Sequence, residues 1–86
     1  MMDYRDIIQM SAISGLTNGV TAMENDSNGR AVYIGYAMPG SAKSSARWQI
    51  RKITYDSNGF ITDIQFASGE LEFNKIWENR AIYIYS

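Results

Sequence analysis

The 86-residue chain contains neither cysteine nor histidine. Without cysteine, no disulfide and no thiolate metal site can stabilise the fold, although this absence does not identify a redox compartment. Without histidine, the commonest general base and the commonest zinc ligand are both missing. Catalysis would have to use Asp, Glu, Lys, Tyr or Ser, and no spacing of these residues suggests a catalytic pair. We therefore expect a protein that is not an enzyme and that has no catalytic, cofactor-binding or metal-binding residues.

Strong charge of one sign and long apolar runs are also absent. Eight Lys and Arg residues oppose nine Asp and Glu residues, and the net charge of −1 argues against sequence-independent attraction to nucleic acid. No run approaches the roughly 18 apolar residues of a membrane span. The N-terminus lacks the basic and apolar regions of a signal peptide. We expect a soluble protein with no membrane partner, made and assembled in a cytoplasm.

The length of the chain suits one domain, residues 1–86, which buries only roughly 60–65% of the surface that the unfolded chain exposes. We divide it into an N-terminal arm with loops, residues 1–29, and a β-rich core, residues 30–86. Apolar residues within 3–13 have a spacing that suits one face of a short helix, and the alternative is an irregular arm that packs on a neighbour. Residues 20–23 are the one strand expected before residue 30.

The core opens with a strand and a hairpin. The first strand spans residues 30–37 and ends at the single proline, Pro39, which cannot donate a hydrogen bond to a neighbouring strand. In the hairpin, strands at residues 47–55 and 60–67 flank the turn Asp56-Ser57-Asn58-Gly59. That tetrapeptide suits a type I turn closed by a left-handed glycine.

The same tetrapeptide occurs at residues 26–29. When residues 26–37 are aligned with residues 56–67, Ile34 falls on Ile64 and Tyr36 on Phe66. The alignment suggests two turn-then-strand units. The alternative is a good turn sequence used twice, because solenoid repeats usually need three or more copies.

Three shorter elements follow the hairpin. Residues 70–73 alternate charged and apolar side chains, as an exposed strand does. Residues 74–80 suit one or two helical turns with Asn74 as the N-cap, or a structured corner. Residues 81–86 form a last strand that should pair within the sheet or against a partner chain. The whole pattern predicts an all-β, mainly antiparallel fold: a small sandwich or barrel-like sheet of about five or six short strands, with an N-terminal arm or short helix.

The apolar side chains of the strand at residues 47–55 change faces between Ile50 and Ile53. A bulge near Arg51 and Lys52 would explain the change, and so would a strand that is buried on both sides. We expect one face of the sheet to close the core through Trp48, Ile50, Ile64 and Phe66.

Six Tyr, three Phe and two Trp are more aromatic residues than so short a chain is expected to bury alone. Tyr and Trp combine apolar area with a polar group, which suits a protein interface or a carbohydrate-binding face. Arginines beside these rings also resemble single-strand nucleic-acid binders, in which bases stack on aromatic side chains. A protein interface is the preferred interpretation. Its candidate residues are Tyr33, Tyr36, Arg47, Arg51, Trp77, Arg80, Tyr83 and Tyr85.

Three motifs within residues 30–86 carry a resemblance to a known family. They are Tyr33-Ile34-Gly35-Tyr36-Ala37-Met38-Pro39-Gly40, Trp48-Gln49-Ile50-Arg51-Lys52 and Ile76-Trp77-Glu78-Asn79-Arg80-Ala81, with Tyr85-Ser86 at the end. In this order and spacing they resemble a family of short structural proteins encoded in tailed-bacteriophage genomes.

The resemblance implies a virion structural protein: a capsid decoration, neck or tail component that acts by multi-copy protein-protein assembly. Its partners would be other phage virion proteins and itself, as a homo-oligomer, and it would be located in the virion after assembly in the host cytoplasm. The resemblance assigns no functional residue. The alternative function is a small β module that binds carbohydrate or single-stranded nucleic acid.

Overall fold

The computed structural model describes residues 20–86. The first four strands form an antiparallel sheet in chain order, and a short fifth strand pairs with the start of the third. The prediction of an all-β, mainly antiparallel domain of five or six short strands is confirmed. The predicted N-terminal arm or short helix lies outside the described residues. The elements are β1 (Val20–Asn25), β2 (Ala31–Ala37), β3 (Ala46–Tyr55), β4 (Ile61–Phe66), β5 (Lys75–Ile76) and a 3-10 helix (Trp77–Asn79).

β1 contains the strand expected at residues 20–23 and pairs with β2 along its length. The sheet therefore extends back to Val20, across the division drawn between residues 29 and 30.

The two Asp-Ser-Asn-Gly turns have the same hydrogen bonds. Asp26 Oδ1 accepts from the backbone N–H groups two and four residues later, at 2.8 and 3.0 Å. Asp56 Oδ1 accepts from the corresponding groups at 2.9 and 3.0 Å. Gly29 and Gly59 close the turns at φ values of 81° and 87°, a conformation that glycine adopts without steric cost. The turn predicted from the sequence is thus present twice.

The likeness of the hairpins extends into their strands. β1 and β2 pair with a register shift that leaves Val32 unpaired, and β3 and β4 pair with a shift that leaves Thr62 unpaired. These two residues are 30 positions apart, as the turns are. The two turn-then-strand units are therefore equivalent in turn, register and bulge.

β3 has no bulge at Arg51 and Lys52, where one was considered. Both residues pair in regular register with β2 and with β4. Instead, the consecutive residues Trp48, Gln49 and Ile50 are all buried. The strand is covered on both sides at this point, which explains the change of apolar face.

On one face of the sheet, the core face, small residues of β1 and β2 lie beside Ile50 of β3. Because directly paired residues project to the same face, Ala22, Gly35 and Ile50 form one row across β1, β2 and β3. Trp77 lies on this row, and a Cβ atom on Gly35 would come within 2.6 Å of its ring. The ring centroids of Trp48 and Trp77 are 5.9 Å apart. The core is thus two indole rings packed on a flat patch of sheet.

Residues 77–86 cover the core face, and we call them the lid. Tyr85 packs against Tyr33 with ring centroids 5.7 Å apart, and its hydroxyl donates to the Arg80 carbonyl at 2.6 Å. The Tyr83 hydroxyl accepts from the Ile76 N–H at 2.8 Å. Burial raises the pKa of the Tyr85 hydroxyl above its ordinary value of 10.0, because the charged form would lose its hydration.

Three predictions for residues 70–86 are corrected. Residues 70–73 form no strand. Asn74 does not cap a helix, because the 3-10 helix begins at Trp77 after the extended residue Ile76. The last strand, expected at residues 81–86, is reduced to one antiparallel bridge between Tyr85 and Ala67.

Two of the four predicted core residues lie in the core. Trp48 and Ile50 are 2% and 0% exposed. Ile64 is 51% exposed, however, and it projects with Phe66 from the opposite face of the sheet. The reason is the register, since Phe66 pairs with Arg51, the immediate neighbour of Ile50.

Candidate protein-interaction surface

The face opposite the core carries a row of large side chains across all four main strands. Met23 pairs with Ile34, Ile34 with Arg51, and Arg51 with Phe66, so that all four project to the same side. Met23 is 55% exposed. We give the name open face to the surface made by Met23, Ile34, Tyr36, Arg51, Ile64 and Phe66.

Arg51 is held in the middle of the open face by two rings and an amide. Its guanidinium carbon lies 4.8 Å from the Tyr36 ring centroid and 5.0 Å from that of Phe66. Its Nε and Nη2 donate to Gln49 Oε1 at 3.2 and 3.1 Å. Gln49 in turn donates through Nε2 to the Leu71 carbonyl at 2.9 Å. The cation is thus positioned before any partner binds.

The charge of Arg51 is not neutralised within the described part of the chain, where the ion pairs join other residues. The face therefore offers a fixed cation flanked by aromatic rings, with exposed apolar groups beside it. Arg and aromatic side chains at the centre of a patch are the composition typical of energetically important interface residues.

Apolar side chains are exposed outside the open face as well. Tyr83 and Tyr85 pack on the core face, so the alternate residues Ile82 and Ile84 project outward from the lid, 76% and 82% exposed. Both sides of the domain thus present apolar groups to solvent. The large exposed apolar residues in the described range are Met23, Met38, Phe60, Ile61, Ile64, Leu71, Phe73, Ile82 and Ile84.

The eight interface candidates named from the sequence are divided between the faces. Tyr36 and Arg51 lie together on the open face, and Arg47 is exposed near the start of β3. The remaining five lie in the packing between the core face and the lid, so they bind the chain to itself: Tyr33, Trp77, Arg80, Tyr83 and Tyr85.

Trp77 and Arg80 illustrate these contacts within the chain. Trp77 is only 4% exposed. The Arg80 guanidinium lies 4.7 Å from the Trp77 ring centroid, and its Nε donates to Glu24 Oε1 at 2.7 Å. This ion pair fixes the lid to β1, at the edge of the sheet.

Sequence reasoning missed the exposure of Met23 and Ile64. For Ile64 the spacing in β4 is misleading, because isoleucines at positions 61 and 64 would lie on opposite faces of a regular strand, whereas Ile61 and Ile64 pair with Tyr55 and Ile53 on one face. The bulge at Thr62 modifies this rule, and only the pairing with β3 settles which face each residue takes.

The 3-10 helix has three residues and is far too short to cross a membrane. Residues 20–86 contain no helix that is long and apolar enough to do so. The chain matches no protein-family model, no curated protein and no solved structure. The phage resemblance therefore rests on its motifs alone.

Those motifs meet in the folded chain. A Cβ atom on Gly35, from the first motif, would lie 3.0 Å from the Trp48 ring of the second and 2.6 Å from the Trp77 ring of the third. The motifs thus specify one packing cluster, and they also contain three of the six residues of the open face, Ile34, Tyr36 and Arg51.

Proposed function

We propose that this chain is a structural component of a tailed-phage virion, which acts by binding copies of itself and other virion proteins. The observation that carries the proposal is the open face, where Arg51 is held between Tyr36 and Phe66 beside exposed apolar residues. Contiguous apolar surface of this kind marks interaction sites in soluble proteins. The resemblance supplies the class of particle, in which capsid decoration, neck and tail are the alternatives.

The small core supports the same function. The buried hydrophobic residues among positions 20–86 are four large side chains and three alanines: Trp48, Ile50, Ile53, Trp77, Ala22, Ala37 and Ala67. A domain with so little core gains stability when partners bind the folded state. Assembly would therefore stabilise the folded state of each copy.

Binding of carbohydrate or single-stranded nucleic acid is the weaker proposal. Sugars and bases stack on free ring faces, but Tyr36 and Phe66 already stack on Arg51. A ligand that stacks on either of these ring faces would have to displace the guanidinium from it. We also propose no catalytic activity.

Quantitative mass spectrometry of purified particles tests the proposal. The protein should be present at high copy number in the virion. Its absence from particles of a phage that encodes it would refute a virion role.

The open face is tested separately by Met23→Asp, which places a charge on it. We expect this variant to weaken self-association in light scattering, or to reduce incorporation into particles. Met38→Asp is the matched control, because Met38 is 57% exposed but lies in the β2–β3 loop. Equal loss in both variants would show that the open face has no special role.

A further inference from the structure

The outer edge of β4 is occupied only near its end. The Phe66 N–H donates to the Ser86 carbonyl at 3.0 Å, and the Ser86 N–H donates back to the Phe66 carbonyl at 3.2 Å. The Ala67 N–H points the other way and donates to the Ile50 carbonyl at 2.9 Å. Because backbone groups alternate between the two sides of a strand, the N–H and C=O of Ile64 also point outward. No residue in the range 20–86 pairs with them.

The outer edge of β1 is its counterpart. Thr21 pairs with Tyr36 as Arg51 pairs with Phe66, 30 residues later. The Phe66 backbone groups are used by Ser86, so those of Arg51 face β2 rather than β4. By the same geometry the Thr21 backbone groups point away from β2, and none of residues 20–86 pairs with them.

We propose that the outer edge of β1 in one copy pairs with the outer edge of β4 in the next copy, in an antiparallel head-to-tail contact. The register comes from the molecule itself. Within the chain, Ile34 of β2 pairs with Arg51 of β3. Since the hairpins are equivalent at an offset of 30 residues, the corresponding contact joins Ile64 to Thr21 of a second copy. This inference rests on the proposed assembly function and identifies one of its contacts.

β1 fits the part of the β4 edge that residues 20–86 leave unpaired. In this register Val20 of the second copy lies opposite Gln65, one residue before Phe66, where Ser86 begins to occupy the edge. Neither β1 nor β4 contains Lys or Pro, the residues that commonly prevent edge strands from pairing. The open face would also continue across the junction, because Met23 of the second copy projects on the same side as Ile64.

A symmetric pairing of β4 with β4 fits less well. Centred on Asp63, it would bring two carboxylates directly opposite each other, with Cα atoms about 4.5 Å apart. Centred on Ile64, it would require the outer edge of Phe66, which Ser86 occupies. In the head-to-tail register Asp63 instead faces Ala22 of the second copy. A head-to-tail contact produces a ring or an open filament, which suits a multi-copy component.

Disulfide trapping tests this contact, since the chain has no cysteine of its own. Hydrogen-bonded antiparallel pairs have Cα atoms about 5.5 Å apart, within the range that a disulfide spans. Thr21→Cys and Ile64→Cys change exposed positions. When the full-length single variants are mixed under mild oxidation, we expect the 9.7 kDa monomer band to shift to a dimer band that contains both variants. The double variant T21C/I64C should give a ladder of multimers.

Met38→Cys mixed with Ile64→Cys is the control for random collisions, because Met38 is similarly exposed but lies in the β2–β3 loop, outside both edge strands. If the mixture of T21C and I64C gives no more cross-linked dimer than this control, the inference is overturned. So would efficient cross-linking of Ile64→Cys to itself, which would show symmetric β4 pairing. The two proposals can fail separately. The protein can be abundant in virions although the T21C–I64C disulfide does not form, which would overturn only the strand contact. The disulfide can also form in a protein that is absent from virions, which would refute only the virion role.

Discussion

Replacing Gly35 with alanine tests whether the lid depends on the absence of one methyl group. A Cβ atom there would lie 2.6 and 2.8 Å from two carbons of the Trp77 ring and 3.0 Å from the Trp48 ring. Gly35 lies in the middle of β2 without a positive φ. Alanine therefore adds a steric conflict without backbone strain, and the indole rings must move.

The magnitude follows from two opposing effects. Adding a methyl group to a well-packed core typically costs about 1–3 kcal/mol. Removing the conformational freedom of a strand glycine returns about 0.5–1 kcal/mol. The difference reaches about 2.5 kcal/mol, and we expect the upper half of this range because both ring carbons of Trp77 would be closer than real contacts allow.

Urea unfolding followed by tryptophan fluorescence measures this loss, because Trp48 and Trp77 are the only two tryptophans and both lie at the conflict. The same substitution in a Trp77→Leu background supplies the control. If the indole causes the cost, Gly35→Ala should become neutral or stabilising there. An unchanged or higher urea midpoint in the single variant, or a full cost in the leucine background, would refute the reasoning.

Three further predictions concern stability. Trp48→Ala should cost about 3–5 kcal/mol in chemical unfolding because the ring is core; retained stability would make it a surface anchor. Burial raises the pKa of Tyr85, so the contribution of its neutral hydroxyl to folding stability is present below pH 10.0 and is lost as the pH rises above it. Tyr85→Phe should therefore flatten the alkaline fall in stability, and an unchanged fall would contradict this. The hydrogen bond from the Arg30 backbone N–H lowers the pKa of Asp26, so the contribution of the Asp26 carboxylate to folding stability is lost as the pH falls below 3.8. Asp26→Asn should flatten the loss of stability in acid, and an equally steep loss would exclude this contribution.

The features that the sequence predicted well are local ones. Asp26 and Asp56 bond to backbone groups only four residues away or fewer, so tetrapeptide chemistry determines both turns. The burial of Trp48 and Ile50 follows from the period of two within one strand. These properties need no knowledge of which strands are neighbours.

The features that the sequence did not predict depend on distant partners. The face of the sheet that Ile64 occupies follows from its pairing with Ile53, and the position of Trp77 follows from Gly35, more than 40 residues earlier. The aromatic residues of the lid suggested an interface because nothing near them in sequence shows a surface to cover. The small residues that provide that surface come from β1 (Ala22), from β2 (Gly35 and Ala37) and from Ala67, just after β4.

The repeat of two hairpins limits how many strand edges the described part of the chain can pair by itself. Two equivalent hairpins have four strand edges, and packing them side by side pairs β2 with β3 but leaves β1 and β4 outermost among the described strands. Ser86 uses the β4 edge at Phe66, and none of residues 20–86 pairs with the outer edge at Ile64. If another copy continues the sheet, the usual twist of about 20–25° per strand turns each copy by roughly 80–100° from the one before. Strand pairing alone would then build a twisted filament, and closure into a flat ring would require further contacts, for which the exposed Ile82 and Ile84 of the lid are available.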